Sequence, residues 1–400
     1  MSRINNLIKT LCPNGAQYKK LKDLVDYIQP SKYIVKSTNY NNKYDIPVLT
    51  AGQTFILGFT DEQEGIYYAS KDKPVIIFDD FTTSNHWVDF KFKVKSSAMK
   101  ILVPKTSDDF KYIYYCISNI DYHPKEHSRQ WIQTFSQFAI PIPPLEVQEE
   151  IVKILDKFGE LEAELEAELE ARKSQYEFWR GKLLNSNYDE MTLNDLCLKI
   201  SNINWSKENF EYQYIDLSSV NRDNNTIEAT TTIGSSNAPS RARQVVREND
   251  VLFGTTRPML KRITLVPKEY DNQICSTGYC VLRPNQEKIL PEWLYYNLQT
   301  NRYYDYVESF QQGASYPSIS DSAVKNYTIP VPSLDIQRKI IEVLDKFDKL
   351  VNDISIGLPA EIEARRKQYD YYRNKLLSFE ELCNEWFIRW KTSLWFKRCY

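Results

Sequence analysis

The sequence predicts an α+β protein in which two mixed α/β blocks alternate with two long helices. The helices pair as an antiparallel coiled coil under an internal pseudo-two-fold. Three observations predict this. Residues 140–158, IPIPPLEVQEEIVKILDKF, return at 329–347 as IPVPSLDIQRKIIEVLDKF, with ten of nineteen positions identical. The likeness resumes as ARKSQYEFWRGKLL (171–184) and ARRKQYDYYRNKLL (364–377). Short alternating runs bounded by turn residues precede each copy, which is a strand pattern. A spacing near 190 residues far exceeds the roughly 20–50 residues of a solenoid unit, so a whole module is duplicated. A protein with a two-fold suits a two-fold ligand, and duplex DNA is the commonest such ligand.

In the first block, PVIIFDD (74–80), FKFKVK (90–95) and MKILVP (99–104) read as strands, the middle one strictly alternating. In the second block, DVLFGTT (250–256), RITLVP (262–267) and YCVLRP (279–284) do the same. LKDLVDYI (21–28) pairs with LNDLCLKI (193–200), and KYIYYCISN (111–119) with EWLYYNLQT (292–300). The offset between partners grows along the chain, so the globular parts have diverged while the helices are held. Pro143 and Pro144 end an extended lead-in and open the first helix. Its apolar face is Ile151, Leu155, Phe158, Leu161, Leu165 and Leu169, with LEAELEAELEA inside it. If helical throughout, 146–184 spans roughly 58 Å, too long to bury its face within one small domain. The second copy offers Ile336, Ile340, Leu344, Phe347, Val351 and Ile354, then breaks at Gly357-Leu358-Pro359, where Pro359 starts a new helix.

Composition is that of a globular protein, 42% apolar and 26% charged. There is no apolar run long enough for a membrane span, and the N-terminus lacks a signal-peptide pattern. Seven scattered cysteines read as reduced thiols of a cytoplasmic protein. The net charge is −2, yet residues 1–139 carry 18 basic against 14 acidic residues, while 140–184 carry 6 against 11. Phosphate contacts therefore have to come from local patches, outside the acidic first helix.

No catalytic set is present: GxGxxG, GxxxxGK[ST] and HExxH are all missing. The pairs His123/His127 and Cys275/Cys280 lack further metal ligands, and Asp79-Asp80 reads as a turn, not a nuclease centre. Three polar stretches are candidate DNA-reading loops. The first holds Thr82, Thr83, Ser84 and Asn85, flanked by Lys71, Lys73, Lys91, Lys93 and Lys95. The second holds Arg241, Arg243, Arg247, Thr255, Thr256, Arg257, Lys261 and Arg262. The third is a pair of segments just before the repeated helices, with Arg129 and Gln130 in one and Gln311, Gln312, Ser315 and Tyr316 in the other. Arginine suits guanine, asparagine and glutamine suit adenine, and lysine anchors phosphate.

The alternation of block and IPxPxLxxQxxIxxxLDKF helix, with GASYPSIS before VKNYTIPVP and GLPAEIEARRKQYDYYRNKLL after, resembles the DNA specificity subunit of Type I restriction–modification systems. The resemblance covers the chain to about residue 380. It implies two mixed α/β target-recognition domains (1–139 and 185–328), each reading half of a bipartite site in double-stranded DNA. It implies that 140–184 and 329–377 are antiparallel spacer helices, the LEAE run matching the family's tetrapeptide spacers. It further implies two modification subunits that bring S-adenosylmethionine, and restriction subunits that use ATP and Mg²⁺, with no catalysis in this chain. Gly159 and the aromatic tail 378–400 depart from the family pattern. A single-chain restriction–modification enzyme fragment and a coiled-coil scaffold without DNA binding are the alternative readings.

Overall fold

The computed structural model describes residues 2–50, 54–185, 187–353 and 355–382. Most of the tail, 383–400, and Ile354 lie outside the described residues. The chain divides into two compact units. One is built from residues up to Glu162 and from Arg365 onward, the other is Ala163–Ala364. Each holds one α/β block with parts of the repeated helices.

The first block contains two four-stranded sheets. One is ordered Val25–Ile28, Met99–Pro104, Val75–Asp79, Asn85–Val88, with antiparallel neighbours throughout. The other is ordered Ile56–Thr60, Ile46–Leu49, Lys91–Val94, Tyr67–Tyr68, with a parallel pairing of Ile46–Leu49 and Lys91–Val94 at its centre. The second block repeats both. Cys197–Leu198, Tyr279–Pro284, Val251–Gly254 and Ile263–Leu265 form one sheet. Thr231–Ile233, Tyr212–Ile215, Ile274–Ser276 and Ala242–Val245 form the other, again with one central parallel pairing. Two blocks of divergent sequence thus share strand order and pairing sense, which sequence alone hinted at in two short matches.

The strict alternation expected for FKFKVK fails at one place. Phe92, Lys93 and Val94 are all buried. Lys93 is tolerated there because its ammonium meets Glu62 at 2.8 Å and also donates to the Glu64 carbonyl. It is therefore an internal ion-pair partner and not one of the loop's flanking cations.

The first helix runs unbroken from Leu145 to Leu184, through Gly159, at which an added Cβ would meet nothing within 4 Å. In the first unit it pairs antiparallel with Leu358–Leu376: Phe158 lies 5.6 Å from Tyr372 and Glu162 holds Arg366 at 2.6 Å. In the second unit Tyr176 stacks near Phe347 of Leu334–Asn352 at 6.2 Å, and its hydroxyl donates to Asp348 at 3.3 Å. Ile151, Leu155, Leu344 and Val351 are buried, and Phe158, Leu165, Leu169, Ile340 and Phe347 are half-buried. The seam is not continuous, because Leu161 is 38% exposed. A four-residue repeat turns about 40° per unit against 3.6 residues per turn, so its leucines drift off one face. The second helix stops at Asn352, earlier than the Gly-Leu-Pro signal. There the Asp353 carboxylate takes the Ser355 and Ile356 N–H groups at 2.7 and 3.2 Å, an alternative to the helical ladder. Gly357 then lets the chain pass the Lys349, Asp353 and Leu350 carbonyls, which a Cβ would meet at 2.5–2.9 Å.

Candidate nucleic-acid interface

In the first block the strands Val75–Asp79 and Asn85–Val88 are joined by a tight turn. Asp79 builds it: one carboxylate oxygen accepts from the Phe81 and Thr82 N–H groups at 2.7 and 3.2 Å. Thr83 sits at φ 65°, a left-handed conformation that β-branched residues rarely hold. The segment 127–131 docks on this turn. Gln130 N–H donates to the Asp80 carbonyl at 2.8 Å, Trp131 N–H to the Asp80 carboxylate at 2.9 Å, and Phe81 stacks on His127 at 4.6 Å. Two distant candidate segments thus become one surface, with Thr82, Ser84 and Arg129 exposed on it.

Three candidates there are framework instead. Thr83 is 8% exposed, and its hydroxyl donates to the Thr82 carbonyl at 2.6 Å. Gln130 is 4% exposed; its amide donates to the Ser128 carbonyl at 2.8 Å and accepts from the Tyr122 hydroxyl at 2.8 Å. Asn85 belongs to the strand, and its side-chain oxygen accepts from Ser118 at 2.6 Å. Lys71 and Lys73 are exposed but lie in the turn before Val75. That is the opposite end of the strand, roughly 20 Å from the Asp79 turn at about 3.3 Å per residue. Asp79 builds the turn, as the sequence indicated, and Asp80 docks the segment 127–131, which it did not.

The second block builds the same arrangement from different residues. The loop after Val251–Gly254 runs through Thr255, Thr256 and Arg257, a short 3-10 turn Pro258–Leu260, and Lys261, before Ile263–Leu265. Arg257 and Lys261 both have left-handed backbones, at φ 50° and 55°. The segment 311–318 docks on it: Arg257 N–H donates to the Pro317 carbonyl at 2.7 Å, and Ile319 N–H to the Thr255 carbonyl at 3.0 Å. Gln312 and Ser318 exchange two backbone bonds of 2.8 Å and close a loop that turns at Gly313, φ 100°. Gln312, Ser315 and Tyr316 are exposed on it, and Gln311 is half-buried. Thr256 and Arg262 are partly exposed. The Arg257 guanidinium lies 4.1 Å from the Tyr316 ring centroid, and the Lys261 ammonium 4.7 Å from that of Tyr304.

Thr255 is a correction here, being 6% exposed with its hydroxyl on the Gly278 carbonyl at 2.9 Å. Arg241 is exposed, and its carbonyl takes the Thr277 N–H, one residue from Gly278, so it flanks the cluster. Arg243 turns back, its Nε donating to the Ser240 carbonyl at 2.9 Å. Among the described residues no group of three or more His, Cys, Asp or Glu side chains converges as a metal site would require. Cys275 and Cys280 are buried, and burial pushes both thiols well above their usual range.

Sequence reasoning missed what fastens each block to its helix. Gln148 and Gln337, the shared glutamine of the repeat, are 1% and 0% exposed. Each accepts from the backbone N–H that precedes a block helix, Asp109 at 2.8 Å and Leu290 at 2.9 Å. Each donates back to its own lead-in proline carbonyl, Pro143 and Pro332, at 2.8 Å. Tyr115 donates to Asp156 at 2.5 Å, and Tyr296 to Asp345 at 2.6 Å. Burial, then the carboxylate partner, drives both phenols far up, so they stay neutral donors. The signal was available: both the glutamine and the aspartate are identical in the two copies.

Two copies of one fold, each presenting a two-segment polar loop cluster beside a fixed helix, define a duplicated module. The profile of the Type I restriction modification DNA specificity domain matches residues 13–171 and again 185–364. The chain is 39% identical to the Type I restriction enzyme EcoR124I/EcoR124II specificity subunit of Escherichia coli, over 95% of this chain and 98% of that one. A putative Type I restriction enzyme specificity subunit of Haemophilus influenzae is 26% identical over 93% of this chain and 98% of its own length. The crystal structure of a Type I S subunit from M. genitalium has the same fold, with a TM-score of 0.53 at 16% identity, covering 90% of this chain and 96% of that one. The chain belongs to the DNA specificity subunits of Type I restriction–modification systems.

Proposed function

We propose that the two blocks, residues 1–139 and 185–328, each read one half of a bipartite site in double-stranded DNA. In this reading the helices, 140–184 and 329–377, set the gap between the half-sites and dock two modification subunits, and restriction subunits join them. S-adenosylmethionine, ATP and Mg²⁺ then belong to those partners, in the cytoplasm, and this chain contributes recognition without catalysis. The observation that carries the reading is the equivalence of the loop pairs. The Asp79 turn with 127–131, and 255–262 with 311–318, occupy the same place in the same fold but offer different side chains. A common frame with divergent tips is what two different half-sites require.

Reconstitution with the modification subunits and methylome sequencing tests this. Methylation at one split motif is expected; a complex that methylates no bipartite sequence would refute the reading. The ruler role has its own test. Adding one LEAE unit lengthens a helix by about 6 Å, against about 3.4 Å per base-pair step. The gap should grow by one to two base pairs with both half-sites unchanged, and altered half-sites would exclude a spacer.

A further inference from the structure

We infer that Arg257, held over the Tyr316 ring, reads a guanine in the half-site addressed by the second block, with Tyr316 its positioning residue. The inference rests on the proposed function and goes beyond it by naming the base and the residue.

Arg257 stands at the tip between Val251–Gly254 and Ile263–Leu265 and is exposed. Its backbone is fixed on both sides. Its N–H is bonded to the Pro317 carbonyl at 2.7 Å, and its carbonyl takes the Leu260 N–H at 3.0 Å. The left-handed φ of 50° is a conformation that costs a non-glycine residue and persists where the surroundings enforce it. No carboxylate pairs with its guanidinium among the described residues. The guanidinium carbon lies 4.1 Å from the centroid of Tyr316, a ring that is itself 70% exposed. Stacking uses the face of a guanidinium and leaves its N–H edge free. That edge matches the O6 and N7 acceptors of guanine in the major groove.

A phosphate anchor needs charge but no single orientation. Here the backbone, the docked loop and the ring all restrict orientation, which is the requirement of base readout. The first block has no counterpart among the described residues. The arginine of its loop cluster, Arg129, sits 4.0 Å from the buried Asp80 carboxylate, and no aromatic ring is stacked on it among the described residues. The two half-sites should therefore differ in their dependence on a guanine read this way.

The test uses the full chain in complex with its modification subunits. The variants are Arg257→Ala, Arg257→Lys, Tyr316→Phe and Tyr316→Ala. The methylated motif is read by sequencing, and binding is measured on duplexes with guanine or 7-deazaguanine at each guanine of the second half-site. Arg257→Ala and Arg257→Lys should each lose on the order of 10–100-fold discrimination at one G·C pair, with the first half-site unchanged. Tyr316→Phe should keep that discrimination and Tyr316→Ala lose most of it. Removing N7 at the same guanine should weaken the wild-type complex but not Arg257→Ala. The inference is overturned if Arg257→Ala demands every base that the wild type does and binds all sequences more weakly with a shallower salt dependence, the signature of a phosphate contact. A wild-type second half-site without guanine overturns it too. If Arg257→Ala does not fold, Arg257→Lys and the 7-deazaguanine duplexes on the wild type decide the matter. A wild-type complex that methylates no split site is a separate result, and it overturns the proposed function as well.

Discussion

Replacing Lys100 with methionine should destabilise the first unit by about 3–5 kcal/mol, the cost of stranding a buried charge. Lys100 and Asp80 are 2% and 1% exposed, and the ammonium lies 3.4 Å from the carboxylate. The ammonium also donates to the Gln29 side chain at 2.7 Å and sits 5.0 Å from the Tyr27 ring centroid. Asp80 has little else to neutralise it. One of its oxygens takes the Trp131 N–H, and the other accepts no hydrogen bond, leaving Lys100 as its near cation and Arg129 at 4.0 Å. Methionine fills a similar volume but leaves the buried carboxylate without its near cation. The damage should reach the candidate interface, because the same carboxylate pins 127–131 to the Asp79 turn. Changing Asp80 to asparagine in the methionine background removes the charge and should restore most of the loss. Denaturant unfolding of the single and double variants measures both numbers, and amide exchange at Trp131 reports the loop. A single variant within about 1 kcal/mol of the wild type would show that the pair contributes nothing beyond a surface bridge.

The same pair marks where the sequence stopped being legible. MKILVP was readable as a strand because four of its residues are apolar, and it is one, Met99–Pro104. Nothing in a single strand announces that Lys100 points inward, since its partner Asp80 arrives from another strand end and Gln29 from a third segment. Lys93 was read as a cation flanking the first loop for the same reason, with Glu62 about thirty residues away. The helices were legible because periodicity is local: Leu145–Leu184 follows from its own spacing. The loops were legible as polar segments, and their pairing, 82–84 with 127–131 and 255–262 with 311–318, was not, because it depends on backbone bonds between distant positions. Thr83, Gln130 and Thr255 show the resulting error. Each has the chemistry of a base reader, and each uses that chemistry to hold a loop in shape.

Gln148→Leu and Gln337→Leu should each cost about 2–6 kcal/mol, from two buried backbone groups left unsatisfied at about 1–3 kcal/mol apiece. At Gln148 the orphans are the Asp109 N–H and the Pro143 carbonyl; at Gln337 they are the Leu290 N–H and the Pro332 carbonyl. Leucine is close in size, so the loss measures the polar groups and not a cavity. Asp109 and Leu290 each precede the first turn of a block helix, Phe110–Ser118 and Pro291–Asn297. The amide therefore ties the start of each repeated helix to the start of its block helix, frame to reader. Glutamate is a sharper probe. Its carboxylate can accept the N–H but cannot donate to the proline carbonyl, and it adds a buried charge, so it should be worse than leucine at both sites. The two positions control for each other, since two bonds are the same in both copies and the third differs, to the Asp108 carboxylate at Gln148 and to the Lys288 carbonyl at Gln337, both at 3.2 Å. Unequal losses, one near zero, would mean that the equivalence is geometric only and that one block is held to its helix by other contacts. Equal losses, with methylation of the split site lost in both variants, would make this glutamine the joint through which a held frame carries two changeable readers.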